Sequence, residues 1–488
     1  MTTFDRISSV RYRIFLLLLF VIRVQSASAH EPHMEESVGE RPILKKHITQ
    51  EEIVNGQMAF DEIFSAGKHL FDAKFNQLDG QGRPSATGNG KPTQRVPNTE
   101  MPMIRTSGPD ANSCAGCHID PRSGGGGDFV ANVFVLAQLL DPITFSVEGV
   151  FSNERNTLGM MGAGPIELLG REMTADLLAI REKAKQRAAA SGTSVTLPLT
   201  SKGVSFGRIT AHPGGTLDTS GIEGVDADLI IKPFHQKGVV RSLREFTVNA
   251  MNHHHGMQAV ERFGIDRTGT YDFDLDGIED ELTIGDITAV TLFQAALNTP
   301  GQILPKDRRI REAVQRGEMR FEAIGCAGCH KPALVLDNPV FCEPYALNPE
   351  GTFSDVTQSV CFDLTKVGEK PRIERLPGGR AVVRAFTDLK RHRICDAEIA
   401  HFCNEKLIQG GVPLDQFITR KLWDVGNSAP YGHRGDLSTI TEAILAHGGE
   451  GRVAREQFAA LSSQEQAEVV EFLKSLQVLP PGPHKDKQ

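Results

Sequence analysis

The sequence predicts a mainly α protein built as two related halves, and three observations lead there. The pentapeptide Cys-Ala-Gly-Cys-His occurs twice, ending at His118 and at His330. A Gly-x-x-x-Phe segment precedes each copy, Gly67 to Phe71 and Gly317 to Phe321. Each half then closes on a segment that aligns without gaps on the other: Leu282, Thr283, Asp286, Val290, Phe293 and Leu297 fall on Leu461, Ser462, Glu465, Val469, Phe472 and Leu476. Ser462 with Glu465 is a full capping box and Thr283 with Asp286 a near match, and the apolar spacing after each is helical.

The pentapeptide has the spacing of c-type haem attachment. Two thiols one short turn apart, Cys114 with Cys117 and Cys326 with Cys329, can form thioethers to a haem, and the adjacent His118 or His330 can reach the iron. A redox dithiol needs no neighbouring histidine, and a zinc site needs further Cys or His at ligand spacing. Two covalently bound haem c groups per chain are therefore expected. The fold class becomes mainly α with two cytochrome c-like haem domains, at 58–300 and 301–484, joined at Asn298-Thr299-Pro300-Gly301. The first carries a long loop-rich insertion from Asp120 to Asp280 that includes Gly124 to Gly127. Phe321 lies just before Cys326, whereas a polar stretch bearing Gly and Pro, Asp79 to Asp110, separates Phe71 from Cys114.

At the N-terminus, Arg6, Arg11 and Arg13 precede the apolar run Ile14 to Ile22, and Ala27-Ser28-Ala29 offers a cleavage site. A signal peptide at 1–29, an arm at 30–57 and a periplasmic or secreted location are expected. The run is too short to span a bilayer and nothing later approaches about 20 apolar residues, so no membrane span is expected in the mature chain. Of 8 cysteines, four remain beyond the haem motifs. Proximity favours the pairs Cys342 with Cys361 and Cys395 with Cys403, with free buried thiols as the alternative. The net charge of −8 gives no nucleic-acid footprint and would suit a positively charged electron-transfer partner.

The sixth iron positions decide the chemistry, because a haem with two strong protein ligands moves electrons and one with an open face can bind an oxidant. His447 ends a short helix opened by Thr439 and Glu442 and stopped by Gly448-Gly449. Spacing alone leaves it either a ligand or a helix-end histidine stabilised by the macrodipole. Separately, Asp272, Asp274, Asp276, Gly277 and Asp280 match the start of a calcium loop, with Thr283 where a standard loop has its bidentate Glu. Calcium is thus a further candidate cofactor, against an ordinary solvated acidic loop.

The run Phe417, Thr419, Leu422-Trp423, Gly426, Ala429-Pro430-Tyr431-Gly432-His433, Thr439 to Ile444 and His447-Gly448-Gly449 resembles the C-terminal signature of the di-haem oxidoreductases related to bacterial di-haem cytochrome c peroxidases. Ser107-Gly108-Pro109 and Phe386-Thr387-Asp388-Leu389 followed by His392 resemble the same family, so coverage runs from about Gly67 to Leu476. The resemblance implies that His447, fourteen residues after His433, is the sixth ligand of the second haem, making that haem a bis-histidine electron relay. It implies a role for His433 beside that haem, although Arg434 stands where the family usually has an acid. For the first haem it implies proximal His118 and an open distal face, with Glu167 nearest a family acidic position. His254, within His253-His254-His255, competes with Glu167 as the acid or base beside bound oxidant. Trp423, the only Trp, is either an electron bridge between the haems or a packed core aromatic. The function implied is an exported, peroxidase-like di-haem oxidoreductase that uses hydrogen peroxide or dioxygen and a small redox protein or other electron donor or acceptor. The alternatives are a di-haem electron-transfer cytochrome without a catalytic site and a di-haem oxygenase acting on an organic substrate.

Overall fold

The helices that position the site are α1 (Phe60–Asp72), α2 (Ala163–Ser191), α3 (Leu243–Ala250), α4 (Ile284–Ala295), α5 (Arg308–Ala323), α6 (Ile440–Leu445) and α7 (Ser463–Ser475). The computed structural model describes residues 38–82, 112–128, 130–133 and 153–481. The expected signal peptide and the Ser107-Gly108-Pro109 stretch lie outside the described residues.

Two helix crossings organise the chain. α1 packs on α4 and α5 on α7, each through its Gly-x-x-x-Phe segment. A Cβ at Gly67 would lie 2.0 Å from the Ala289 carbonyl oxygen, and one at Gly317 would lie 1.9 Å from that of Glu468. Only glycine permits backbones this close. One turn on, Phe71 meets Phe293 at 5.2 Å between ring centroids and Phe321 meets Phe472 at 5.4 Å. Ala289 and Phe293 are the residues that the gapless alignment sets on Glu468 and Phe472, so the crossings share a register.

Both closing helices begin as their sequences predict. Thr283 Oγ1 accepts from Asp286 N at 3.1 Å while Asp286 Oδ2 accepts from Thr283 N at 3.0 Å. Ser462 Oγ and Glu465 repeat the exchange at 3.4 and 2.9 Å. Each box satisfies donors that a helix start leaves orphaned.

The expectation of a mainly α, loop-rich molecule needs correction in detail. Among the described residues, helices are accompanied by six small sheets of two or three strands. Within the insertion, α2 is 29 residues long and buried on all sides from Ala163 to Gly170. The antiparallel hairpin β1 (Val195–Ser201) and β2 (Val204–Ala211) follows. Leu199, Val204, Phe206, Ile209 and Ala211 turn inward into the same core cluster as Ala184 and Ala188 of α2. In β2 the inward positions alternate at Val204 and Phe206 and, after a change of phase at Gly207-Arg208, again at Ile209 and Ala211.

The Asn298–Gly301 stretch is packed rather than an open tether. Asn298 is buried, its Nδ2 donates to Leu479 O at 3.0 Å and its Oδ1 accepts from Arg122 at 2.8 Å. The described residues from Pro42 onward form one compact unit. Cys342 pairs with Cys361 and Cys395 with Cys403, as sequence proximity favours.

Candidate haem sites

Each pentapeptide folds as a 3-10 turn, Cys114–Gly116 and Cys326–Gly328, that brings its histidine under the preceding helix. His118 lies 6.3 Å from the Phe71 ring at 53°, and His330 lies 6.3 Å from Phe321 at the same 53°. His118 Nδ1 donates to Leu158 O at 3.0 Å, and His330 Nδ1 donates to Phe386 O at 3.1 Å. A ring whose Nδ1 carries the hydrogen keeps the Nε2 lone pair for a metal. Burial holds both imidazoles neutral, pushing them down to about 4.

The donor set tests the haem reading. Burial pushes the Cys114 thiol up to about 12 and the Cys326 thiol up to about 11, opposite to the depressed value of a redox dithiol. None of the four motif cysteines is in a disulfide. The first motif opens onto a cavity whose walls include Phe71, Met160, Ile166, Leu243, Phe246 and Val290, with Cys114, Cys117 and His118 in its lining. Two thiols, a preset imidazole and an apolar slot fit a haem.

His254, His255 and His235 also line this cavity. His254 is close enough that its charge bears on both His118 and His235. The run 251–255 is a π-helical turn closing α3, an irregularity common at functional sites. At the second motif, His447 stands in a similar relation to His330 and is the largest charge influence on it after burial. His447 Nδ1 donates to Ala443 O at 2.8 Å, so it too keeps Nε2 free.

Glu167 does not join this group. It is fully buried one turn before Arg171, from which it accepts at 2.8 Å, and its other oxygen accepts from Leu243 N at 2.7 Å at the start of α3. Its neighbour Ile166 lines the cavity instead. Arg171 continues the network to Cys342 O at 2.6 Å and to Glu343, which also binds Arg244 at 3.0 Å. Burial pushes Glu343 up to about 7.

Trp423 is 1% exposed, its ring against Gly162 at the start of α2. It ends a segment in which Thr419, Arg420 and Lys421 line the first cavity while Leu422 packs on the same core cluster as Cys326 and Ala327. His433 is buried 4.4 Å from the Phe417 ring and 3.3 Å from Glu405, which also binds Arg155. Phe402 touches both His433 and His447, so His433 is one aromatic ring removed from the second site. The carboxylates of Asp272, Asp274 and Asp276 lie within 4.8 Å of one another. Their charges, after burial, raise Glu281 well above its usual range. Asp272 also accepts from Leu275 N at 2.7 Å and Gly277 N at 3.0 Å, which shapes the loop without an ion.

Sequence reasoning assigns no role to four cavity residues, although His235 stands among the histidines able to ligate iron. Arg155 is buried with Glu405 across from it at 2.6 Å. His235 adopts φ 64°, unusual for a side-chain-bearing residue, with its ring 5.0 Å from Phe246. Lys421 donates to Gly159 O at 2.7 Å, and burial pushes it down to about 8. Arg420 is the fourth. Only the Arg420-Lys421 pair left a sequence signal: two cations inside the run that resembles the family.

Residues 351–476 match the family model described as "Di-haem oxidoreductase, putative peroxidase". No curated protein matches the chain. Among solved structures, hydrazine synthase of Kuenenia stuttgartiensis is 14% identical, covering 90% of this chain and 96% of its own, with a TM-score of 0.36. A MauG-like protein associated with microbial copper homeostasis is 16% identical, covering 55% and 78%, with a TM-score of 0.28. The family that the Phe417-to-Gly449 run resembles is thus the one whose model residues 351–476 match, that of the di-haem oxidoreductases.

Proposed function

We propose that this di-haem oxidoreductase is exported and peroxidase-like, with a second haem that relays electrons and a first haem that meets the oxidant. The observation that carries the reading is the contrast between the sites. His330 and His447 are paired with both Nδ1 atoms tied to carbonyls, whereas His118 opens onto a cavity lined by further polar side chains. When bound, the haems would supply one-electron chemistry and, at the first site, a coordination position for hydrogen peroxide or dioxygen. Cys114 and Cys117, and Cys326 and Cys329, would hold the haems covalently. His118 and His330 would be proximal ligands and His447 the distal ligand of the second.

At the first site His254 would exchange a proton with the oxidant's oxygen. Glu167, tied to Arg171 and Leu243 N, would instead hold α2 against α3. Trp423 and the residues before it would carry electrons between the sites, drawn from a small redox protein. Calcium at Asp272, Asp274 and Asp276 would neutralise their mutual repulsion.

A second reading has its own support. His254 bears on His118 as His447 bears on His330, and ligation by His254 would close the first haem and leave an electron carrier. The spin state of the first haem tests the choice. A high-spin component with peroxide turnover supports the enzyme, while two low-spin haems in both redox states support the carrier. His447→Ala should turn the second haem high-spin with both haems still attached by mass. An unchanged low-spin spectrum would remove His447 as ligand. Denatured wild type should weigh as the chain from about His30 plus two haems.

A further inference from the structure

Among the described residues that line the first cavity there are three basic side chains, Arg155, Arg420 and Lys421, and no Asp or Glu. Two of the cations are already matched. Arg155 meets Glu405 through two nitrogens, at 2.6 and 2.7 Å, and Gln409 at 2.8 Å. Lys421 donates to Gly159 O at 2.7 Å and Met161 O at 3.2 Å, with Asp424 at 3.4 Å.

Arg420 differs. Its guanidinium donates no hydrogen bond among the described residues, and its closest carboxylate is the Asp424 that Lys421 already shares, 3.8 Å away. Its side chain is 32% exposed where it lines the cavity, so a group filling that space would take its fork out of water. A guanidinium carries five donors in a planar fork, and leaving them unmatched away from water is costly. The site therefore lacks an anion, and a planar carboxylate is the partner that such a fork fits best.

We propose that Arg420 binds a propionate of the first haem. The proposal rests on the haem reading above, since a haem tethered at Cys114 and Cys117 brings its carboxylates into this same cavity. It goes further, because Arg420 belongs to the segment that runs from this cavity to Leu422, which packs on the core cluster of the second motif. A free small anion offers the same chemistry, but the tethered haem is already there at high effective concentration.

Three holoproteins test this: wild type, Arg420→Gln and Arg420→Lys. Mass analysis first counts the haems on each. A first motif without haem in wild type would sink the haem reading itself, independently of Arg420. With both haems attached, a nearby cation favours the reduced state. Arg420→Gln should therefore make reduction of the first haem about tenfold less favourable, about 59 mV for one electron, and leave the second unchanged. Arg420→Lys should keep most of the potential while shifting the propionate modes in resonance Raman spectra, because a point charge replaces the fork. An unmoved first-haem potential in Arg420→Gln overturns the proposal. If that variant does not accumulate, unshifted propionate modes in Arg420→Lys overturn it. A wild-type potential that responds to added inorganic phosphate would assign the guanidinium to a free anion and also overturn it.

Discussion

In the first half, α4 is buried from Gly285 to Ala295, with α1 on one side and the insertion around the rest. In the second half, α7 keeps a solvent-facing side, and Glu468, at the position aligned with Ala289, is held by Arg316 and Arg320 at 2.8 Å each. Yet the Gly contact, the Phe pair and the Phe–His angle agree between the halves to within a few tenths of an ångström or better. The common part is the crossing that fixes the histidine of each pentapeptide; the surroundings differ. One crossing serves an interior cavity, and the other serves a site beneath a thin cover of helix and loop.

The largest expected effect probes what only the first half has. Glu167→Ala would strand Arg171 in a buried network, and breaking such a pair costs about 3–5 kcal/mol. Urea unfolding should show that loss, with a smaller one for Glu167→Gln. A Glu167→Gln protein of unchanged stability that loses peroxide turnover would return Glu167 to the chemistry and narrow the contrast drawn here.

Next come the shared features. Gly67→Ala and Gly317→Ala each force a methyl group onto a carbonyl and should cost about 1–3 kcal/mol by overpacking. Melting temperatures should fall comparably for the two. A Gly317 variant that melts like wild type would show that the second crossing is looser than its distances imply.

A smaller, pH-dependent effect links the halves. His433, from the second half, is pushed down to about 2 by burial and then by Arg155 of the first-half cavity. The folded value is depressed, so its contribution is complete above the unfolded value of about 6.5. It is lost as pH falls from there toward 2, by up to about 1.4 kcal/mol per unit. His433→Gln should flatten the stability profile between pH 6 and pH 4 on that scale. A profile as steep as wild type would mean that other groups set the acid limit.

The smallest effect is expected from calcium. Chelation should lower the melting temperature by a few degrees and perturb the first haem alone, since the acidic loop leads into α4. Metal analysis without calcium, together with indifference to chelator, would leave the three aspartates as a self-hydrogen-bonded loop.

Much of this was legible in residue order where local chemistry dictates structure. The pentapeptides, both capping boxes, the short helix before His447 and the two disulfides depend on residues near one another in sequence. The glycines were visible as a pattern, although not as the point where two backbones touch. The tie of Glu167 to Arg171 is legible as a spacing of one helical turn, whereas its distance from the first cavity is set by tertiary packing. Within the loop-rich insertion, α2 is apolar all round at its start and polar later, which blurs its period and hides the helix in residue order. Arg155 shares one cavity with His235 and Arg420 only through tertiary packing of three distant segments, and no local pattern marks Arg155.

The equal Phe–His geometry has one more consequence. Phe321 and Cys326 are near neighbours in the chain, whereas more than forty positions separate Phe71 from Cys114, yet the rings meet at the same 6.3 Å and 53°. The length of chain between helix and motif is therefore a free variable: it differs severalfold between the halves without changing how the ring of the helix meets the histidine of the motif.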